Sequence, residues 1–245
     1  ATAGRWMWEN FAVVKHDPFS HTARGDVWIS ITWGYEFLIY AIHRLTGAWW
    51  PVTAFHALLA CVGVFFGWKT AEAIRNKHGQ SQSAWEPFLI IILFLAALMP
   101  IEIRWFNRPE MFSHMIGMIV IYLLVKDRQN EIEPKKLWWI VGLQVLWVNT
   151  HGLFIFGPIL IGTFWLSRII DETFLAEEDR KKPLMEAVLK DRLLPLLVVT
   201  TLATLLNPRG ITGALFPFHL LKVLTHTFYQ RTIPEATNPL RDAIW

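Results

Sequence analysis

Residues 137–166 read LWWIVGLQVLWVNTHGLFIFGPILIGTFWL, an apolar run interrupted at its middle by Asn149, Thr150, His151 and Gly152. As one helix it would measure ~45 Å at ~1.5 Å per residue, longer than the ~30 Å hydrocarbon core of a bilayer. Two shorter helices joined at residues 149–152 fit better. Gly152 is expected to supply the turn, and the polar side chains to satisfy the backbone groups freed there.

Further apolar stretches flank this run, at residues 50–68, 87–103, 111–125 and 193–206. The 245 residues are 53% hydrophobic and only 18% charged, with 14 Trp and 17 Phe. That balance exceeds an ordinary soluble domain. The runs do not alternate, which argues against a barrel. The expectation is an all-α, polytopic membrane helical bundle. Cys61 is the only cysteine, so disulfides and cysteine-cluster metal sites within the chain are excluded. The net charge of +3 fits basic loops beside a membrane, and nucleic acid is not an expected partner. Both ends suggest that the chain is part of a longer protein.

Charge sets the topology. Lys69, Arg75 and Lys77 follow the first run; Lys126, Arg128, Lys135 and Lys136 precede the quoted one; Arg180, Lys181, Lys182, Lys190 and Arg192 lie in an amphipathic stretch near 171–192. The positive-inside rule assigns these loops to the cytoplasm. If spans alternate, residues 1–49, 103–108, 149–152 and 207–210 share the opposite face. The expected organisation is an extracytoplasmic first loop with an interfacial helix (1–49), a bundle of about six spans (50–210), and an extracytoplasmic or interfacial tail (211–245).

That face gathers the residues able to do chemistry. Asp17 stands between His16 and His21 and suits a general base or, with both histidines, a divalent metal; the alternative is an Asp-Pro turn with surface histidines. Glu36 is a second candidate acid, or a solvated position on the interfacial helix. Arg104 and Arg108 break the positive-inside pattern, and planar guanidinium forks suit a phosphate; snorkelling arginines paired with Glu102 or Glu110 are the alternative. His114 follows Arg108 by less than two turns. Asn149 and His151 are costly in lipid unless they face protein or a watery cavity, and interhelix bonding competes with a site as their purpose. Asn207 and Arg209 flank Pro208 at a helix terminus. Walker loops, dinucleotide fingerprints, nucleophile elbows and the zinc-peptidase histidine pair do not occur.

Taken together, Asp17-Pro-x-Ser-His21, a Trp-rich helix with Glu36, Arg108-Pro109, Trp147-Val-Asn-x-His-Gly152 and Asn207-Pro-x-Gly210 resemble bacterial membrane proteins of the GT-C glycosyltransferase superfamily, near family 39 mannosyltransferases. The resemblance implies an inner-membrane enzyme that takes a sugar from a polyprenyl phosphate at the outer face. Asp17 would deprotonate the acceptor, Arg104 and Arg108 would hold the leaving phosphate, and Asn149 and His151 would line the pocket. The chain lacks the span expected before the first loop and the paired loop acids common in family 39. A non-catalytic subunit bound to other membrane proteins is the rival expectation.

Overall fold

A computed structural model describes residues 2–28, 30–77, 108–176 and 181–224. Every regular element among them is helical; two strands' worth of chain meet only in an isolated antiparallel bridge between His16 and Val27. The longer helices are α1 (Thr2–Asn10), α2 (Trp33–Thr46), α3 (Trp50–Lys77), α4 (Glu110–Arg128), α5 (Trp139–Thr150), α6 (Phe156–Ile170), α7 (Leu193–Ala203) and α8 (Phe216–Leu224). Short turns occupy Pro134–Leu137, Gly152–Ile155, Leu184–Leu189 and Ile211–Ala214, and the end of α6 widens into a π-turn at Asp171–Leu175.

The core follows from spacing. On α4, Phe112, Ile116, Val120 and Leu124 recur every fourth residue, so they form one stripe, and all four are buried. That stripe sits against Val52 and Leu59 of α3 and against Ile140, Trp147, Ile161, Leu193 and Leu196 of the later helices. The helices α3 and α4 run in the same direction: Phe66 meets Tyr122 at 5.3 Å between ring centroids, and the Gln129 side-chain amide donates to the Ala73 carbonyl at 2.8 Å. Within this core Tyr35 of α2 reaches His56 of α3 at 3.1 Å. The Val52 carbonyl accepts from His56 Nδ1 at 2.7 Å, so the ring hydrogen lies on Nδ1 and the Tyr35 hydroxyl donates to Nε2.

Two segments, Trp50–Asn76 and Gly152–Leu175, are long and apolar enough to cross a membrane. Only 22% of each apolar window is buried, whereas the core helix of a soluble protein is mostly covered, and this outward-facing apolar surface supports membrane association. Two such helices, not about six, occur among the described residues; α5 has 12 residues and α7 has 11, or ~18 Å of helix at most. The expected run at 87–103 and the tail beyond residue 224 lie outside the described residues.

The break in the quoted run is where the sequence places it: α5 ends at Thr150 and a 3₁₀ turn begins at Gly152. The turn itself comes from another residue than expected. His151 is extended, at φ −157° and ψ 148°, and redirects the chain. Gly152 is absent from the positive-φ residues; its smallness lets Ile31 approach, since a Cβ there would lie 2.6 Å from Ile31 Cδ1. The Gln144 amide of α5 ties the 3₁₀ turn back to its helix, donating to the Phe154 carbonyl at 2.9 Å.

Candidate functional site

The bundle has two chemically distinct ends. One carries the basic loops and a buried ionic network: Arg168 bridges Asp127 at 2.8 Å and Asp191 at 2.9 Å, while Arg192 meets Asp127 at 2.8 Å. The other end collects the start of α2, the start of α4, the 149–152 break and the turn after α7. Residues 15–28 fold over this second end.

Asp17 belongs to the loop's own architecture. Its Oδ1 accepts from the Phe19 and Ser20 amides at 2.7 and 2.9 Å, and its Oδ2 accepts from the Ser20 hydroxyl at 2.5 Å. This is the local Asx and Ser turn that an Asp-Pro-x-Ser sequence favours. The Ser20 hydroxyl above all, then the Ser20 amide, holds the carboxyl below the usual carboxylate range. Both oxygens are thereby occupied and the group is a weakened base. His16 Nδ1 lies 3.2 Å from the Gly25 carbonyl, and His21 is exposed. No group of three or more metal-ligating side chains occurs among the described residues.

Across the base of that loop, Asp17 and Asp26 pair through their backbones at 2.8 Å, and the Trp28 amide donates to Lys15 at 2.9 Å. Arg209 then reaches from the far end of the sequence, donating to the Lys15 carbonyl at 2.7 Å and to the Trp28 carbonyl. Its partners are backbone oxygens, so the guanidinium acts as a clasp. Asn207 shapes the turn that presents it, donating to Thr204 and Gly210 carbonyls at 2.9 Å and accepting from the Arg209 amide at 2.8 Å.

Asn149 is the second tie. The Trp33 indole donates to its Oδ1 at 2.8 Å, and its Nδ2 donates to the Val145 carbonyl at 2.7 Å and the Leu206 carbonyl at 2.9 Å. One side chain thus joins α2, α5 and the end of α7. Close approach makes this reachable: a Cβ at Gly34 would lie 2.6 Å from the Asn149 carbonyl oxygen.

His151 faces α4 instead. Its Nδ1 lies 2.7 Å from Ser113 Oγ, which also accepts from the Trp147 indole at 2.7 Å. With the indole on one lone pair, the serine proton is left to reach Nδ1. Glu110 and His114 stand within electrostatic range of the imidazole, and Arg108 is exposed at the entry to the same helix. Arg104 lies outside the described residues. Glu36, half-buried on α2, accepts from the Thr32 and Ser30 hydroxyls at 3.0 and 3.3 Å.

The end therefore sorts into ties (Asp17, Asn149, Asn207, Arg209) and groups whose bonds are to exchangeable side chains (Glu36, His151), with Glu110 and His114 within electrostatic range of the His151 ring. Ser113 and Trp33 carry no motif of their own; their roles depend on partners 38 and 116 residues away. Set against protein-family models, characterised proteins and solved structures, the chain matches none of them.

Proposed function

We propose that the chain is a membrane glycosyltransferase of the GT-C type, moving a sugar from a polyprenyl phosphate to an acceptor hydroxyl at the extracytoplasmic face of a bacterial inner membrane. One observation carries the reading: residues far apart in sequence, from Lys15 to Arg209, are drawn to one end of the bundle by direct bonds. The acceptor proton goes to Glu36 and not to Asp17. Among the described residues Glu36 is held by hydroxyls alone, so a substrate hydroxyl replaces them like for like, whereas Asp17 would have to surrender two backbone amides. The deprotonated oxygen attacks the anomeric carbon, the carbon–phosphate oxygen bond breaks, and the electron pair leaves on the phosphate. Arg108 stabilises that charge; Arg104 is its companion in this reading, and His151 borders the sugar pocket. The test is sugar transfer by the full chain in lipid nanodiscs. Glu36→Gln should lower turnover by about 10²-fold or more with the fold retained. Undiminished turnover in that variant overturns the assignment of the base.

A second reading has its own support. Asp17, Asn149, Asn207 and Arg209 all spend their hydrogen bonds inside the chain, as in an accessory subunit that packs against other membrane proteins. Stoichiometric co-purifying partners, with no bound polyprenyl phosphate and no transfer, would favour it.

A further inference from the structure

His151 enters the glycosyltransferase reading only as a border of the sugar pocket, yet its neighbours decide which of its ring nitrogens bears the hydrogen. Trp147 holds it twice. The His151 amide donates to the Trp147 carbonyl at 3.0 Å, and the Trp147 indole fixes the hydroxyl that meets the ring. That indole is a donor only, and it takes one lone pair of Ser113 Oγ at 2.7 Å. Among the described residues the serine proton then has one acceptor, His151 Nδ1, also at 2.7 Å. Trp147 is 2% exposed and Ser113 6%, so this exchange is shielded from water. Burial above all pushes the imidazole down to about 4, with Glu110 opposing and His114 adding to it, so the ring is neutral near pH 7. A neutral imidazole whose Nδ1 accepts carries its one hydrogen on Nε2. Nε2 is the open end of the relay: it has no partner among the described residues, and it is not one of the polar atoms shut inside them. The residue as a whole is half-buried.

We infer that Ser113 and Trp147 are positioning residues: they hold His151 as the Nε2–H tautomer, and that N–H donates to an acceptor oxygen of the glycosyl carrier, either a sugar hydroxyl or a phosphate oxygen. The identity of the ligand rests on the proposed function; the tautomer does not. The relay gives His151 the role of a donor and removes it as a base, because its one ring lone pair is spent on Ser113. Proton abstraction stays with Glu36. A donor already aimed before the substrate arrives needs no reorganisation during the reaction.

The experiment is nuclear magnetic resonance of the full chain in nanodiscs with histidine labelled at its ring nitrogens, His151 being assigned by its loss in His151→Phe. The wild-type ring should carry its hydrogen on Nε2 alone. Ser113→Ala should move the Nδ1 resonance to that of a bare lone pair and populate the Nδ1–H form, and Ser113→Thr, which keeps the hydroxyl, should restore the wild-type pattern. Trp147→Phe frees a lone pair on Ser113 Oγ and should likewise populate Nδ1–H. Added carrier should then shift the Nε2–H signal: glycosylated polyprenyl phosphate alone does so if the oxygen is the sugar's, and bare polyprenyl phosphate does so as well if it is the phosphate's. In turnover, Ser113→Ala should lower kcat about 10-fold, the usual weight of a partner that orients an imidazole, with KM unchanged and Ser113→Thr restoring the rate. A wild-type hydrogen on Nδ1, or an Nδ1 resonance that Ser113→Ala leaves in place, would overturn the tautomer. Sugar transfer that proceeds while neither carrier shifts Nε2–H would overturn the donor role and leave the function standing; no transfer and no shift would overturn both.

Discussion

Replacing Asn149 by Leu keeps the side-chain size and removes both long-range bonds at the helix break, the one from the Trp33 indole and the one to the Leu206 carbonyl. The third, to Val145, lies within α5 and joins no second helix. Interhelix hydrogen bonds in membrane proteins contribute about 0.6 kcal/mol on average, so the two losses amount to about 1.2 kcal/mol. The Trp33 N–H is left half-buried without an acceptor, which adds about 1 kcal/mol. The variant should therefore be destabilised by about 2 kcal/mol, roughly 30-fold in the unfolding equilibrium. In a Trp33→Phe background the stranded donor is gone and only the Leu206 share, about 0.6 kcal/mol, remains. The cycle should show a coupling of about 1.6 kcal/mol. Far-UV helicity followed through sodium dodecyl sulfate titration in bicelles measures all four proteins. A coupling below about 0.3 kcal/mol, within the additivity expected of independent sites, would refute the clasp between α2 and α5.

Other consequences are as specific. Gly34→Ala places a Cβ against the Asn149 carbonyl, backbone against backbone, and should separate α2 from α5, read as loss of protection of the α2 amides in hydrogen exchange. Asp127→Ala leaves Arg168 and Arg192 facing each other without their shared acid and should destabilise the fold by about 3 kcal/mol, more than any single change at the polar end. Arg209→Ala releases the base of the 15–28 loop and should speed tryptic cleavage at Arg24, which is already on the surface, by freeing the loop backbone, while leaving the helical content unchanged. The Asp17 carboxyl titrates below its ordinary range because the Ser20 hydroxyl binds its charged form, so the stability it gives the loop is present above the unfolded value of about 3.9 and is lost as pH falls through the lower folded value. Exchange at the Phe19 and Ser20 amides should stay slow from neutral pH down to that range and accelerate below it, and should be fast throughout in Asp17→Ala.

The parts of the fold that were legible are those set by local polarity. Asn149 to Gly152 in the middle of an apolar run announced a break because unpaired backbone and amide groups are excluded from lipid. Lys126, Arg128, Lys190 and Arg192 announced one basic end because cations favour one side of a membrane. What stayed hidden depends on partners remote in sequence. Nothing local distinguishes an Asn149 that lines a pocket from one that joins Trp33 to Leu206, or an Arg209 that holds a phosphate from one that holds Lys15 and Trp28 carbonyls. Helix α1 was hidden for another reason: nine residues with Arg5, Glu9 and Asn10 among Trp6, Met7 and Trp8 are too few to show a period, and its helix depends on packing Ala3 and Met7 beneath Trp33 and Phe37 of α2. At Asp17 the Asp-Pro turn, one of the two readings available from sequence, is the arrangement in the structure.

The most direct test of the polar end as the site is where a carrier lipid lands. A polyprenyl-phosphate sugar with a photoreactive group next to its phosphate, irradiated with the full chain in nanodiscs and mapped by peptide mass spectrometry, should label residues 28–36, 108–114 and 149–152, and unlabelled carrier should compete. Labelling confined to residues 168–192, or labelling that excess carrier does not reduce, would contradict the account.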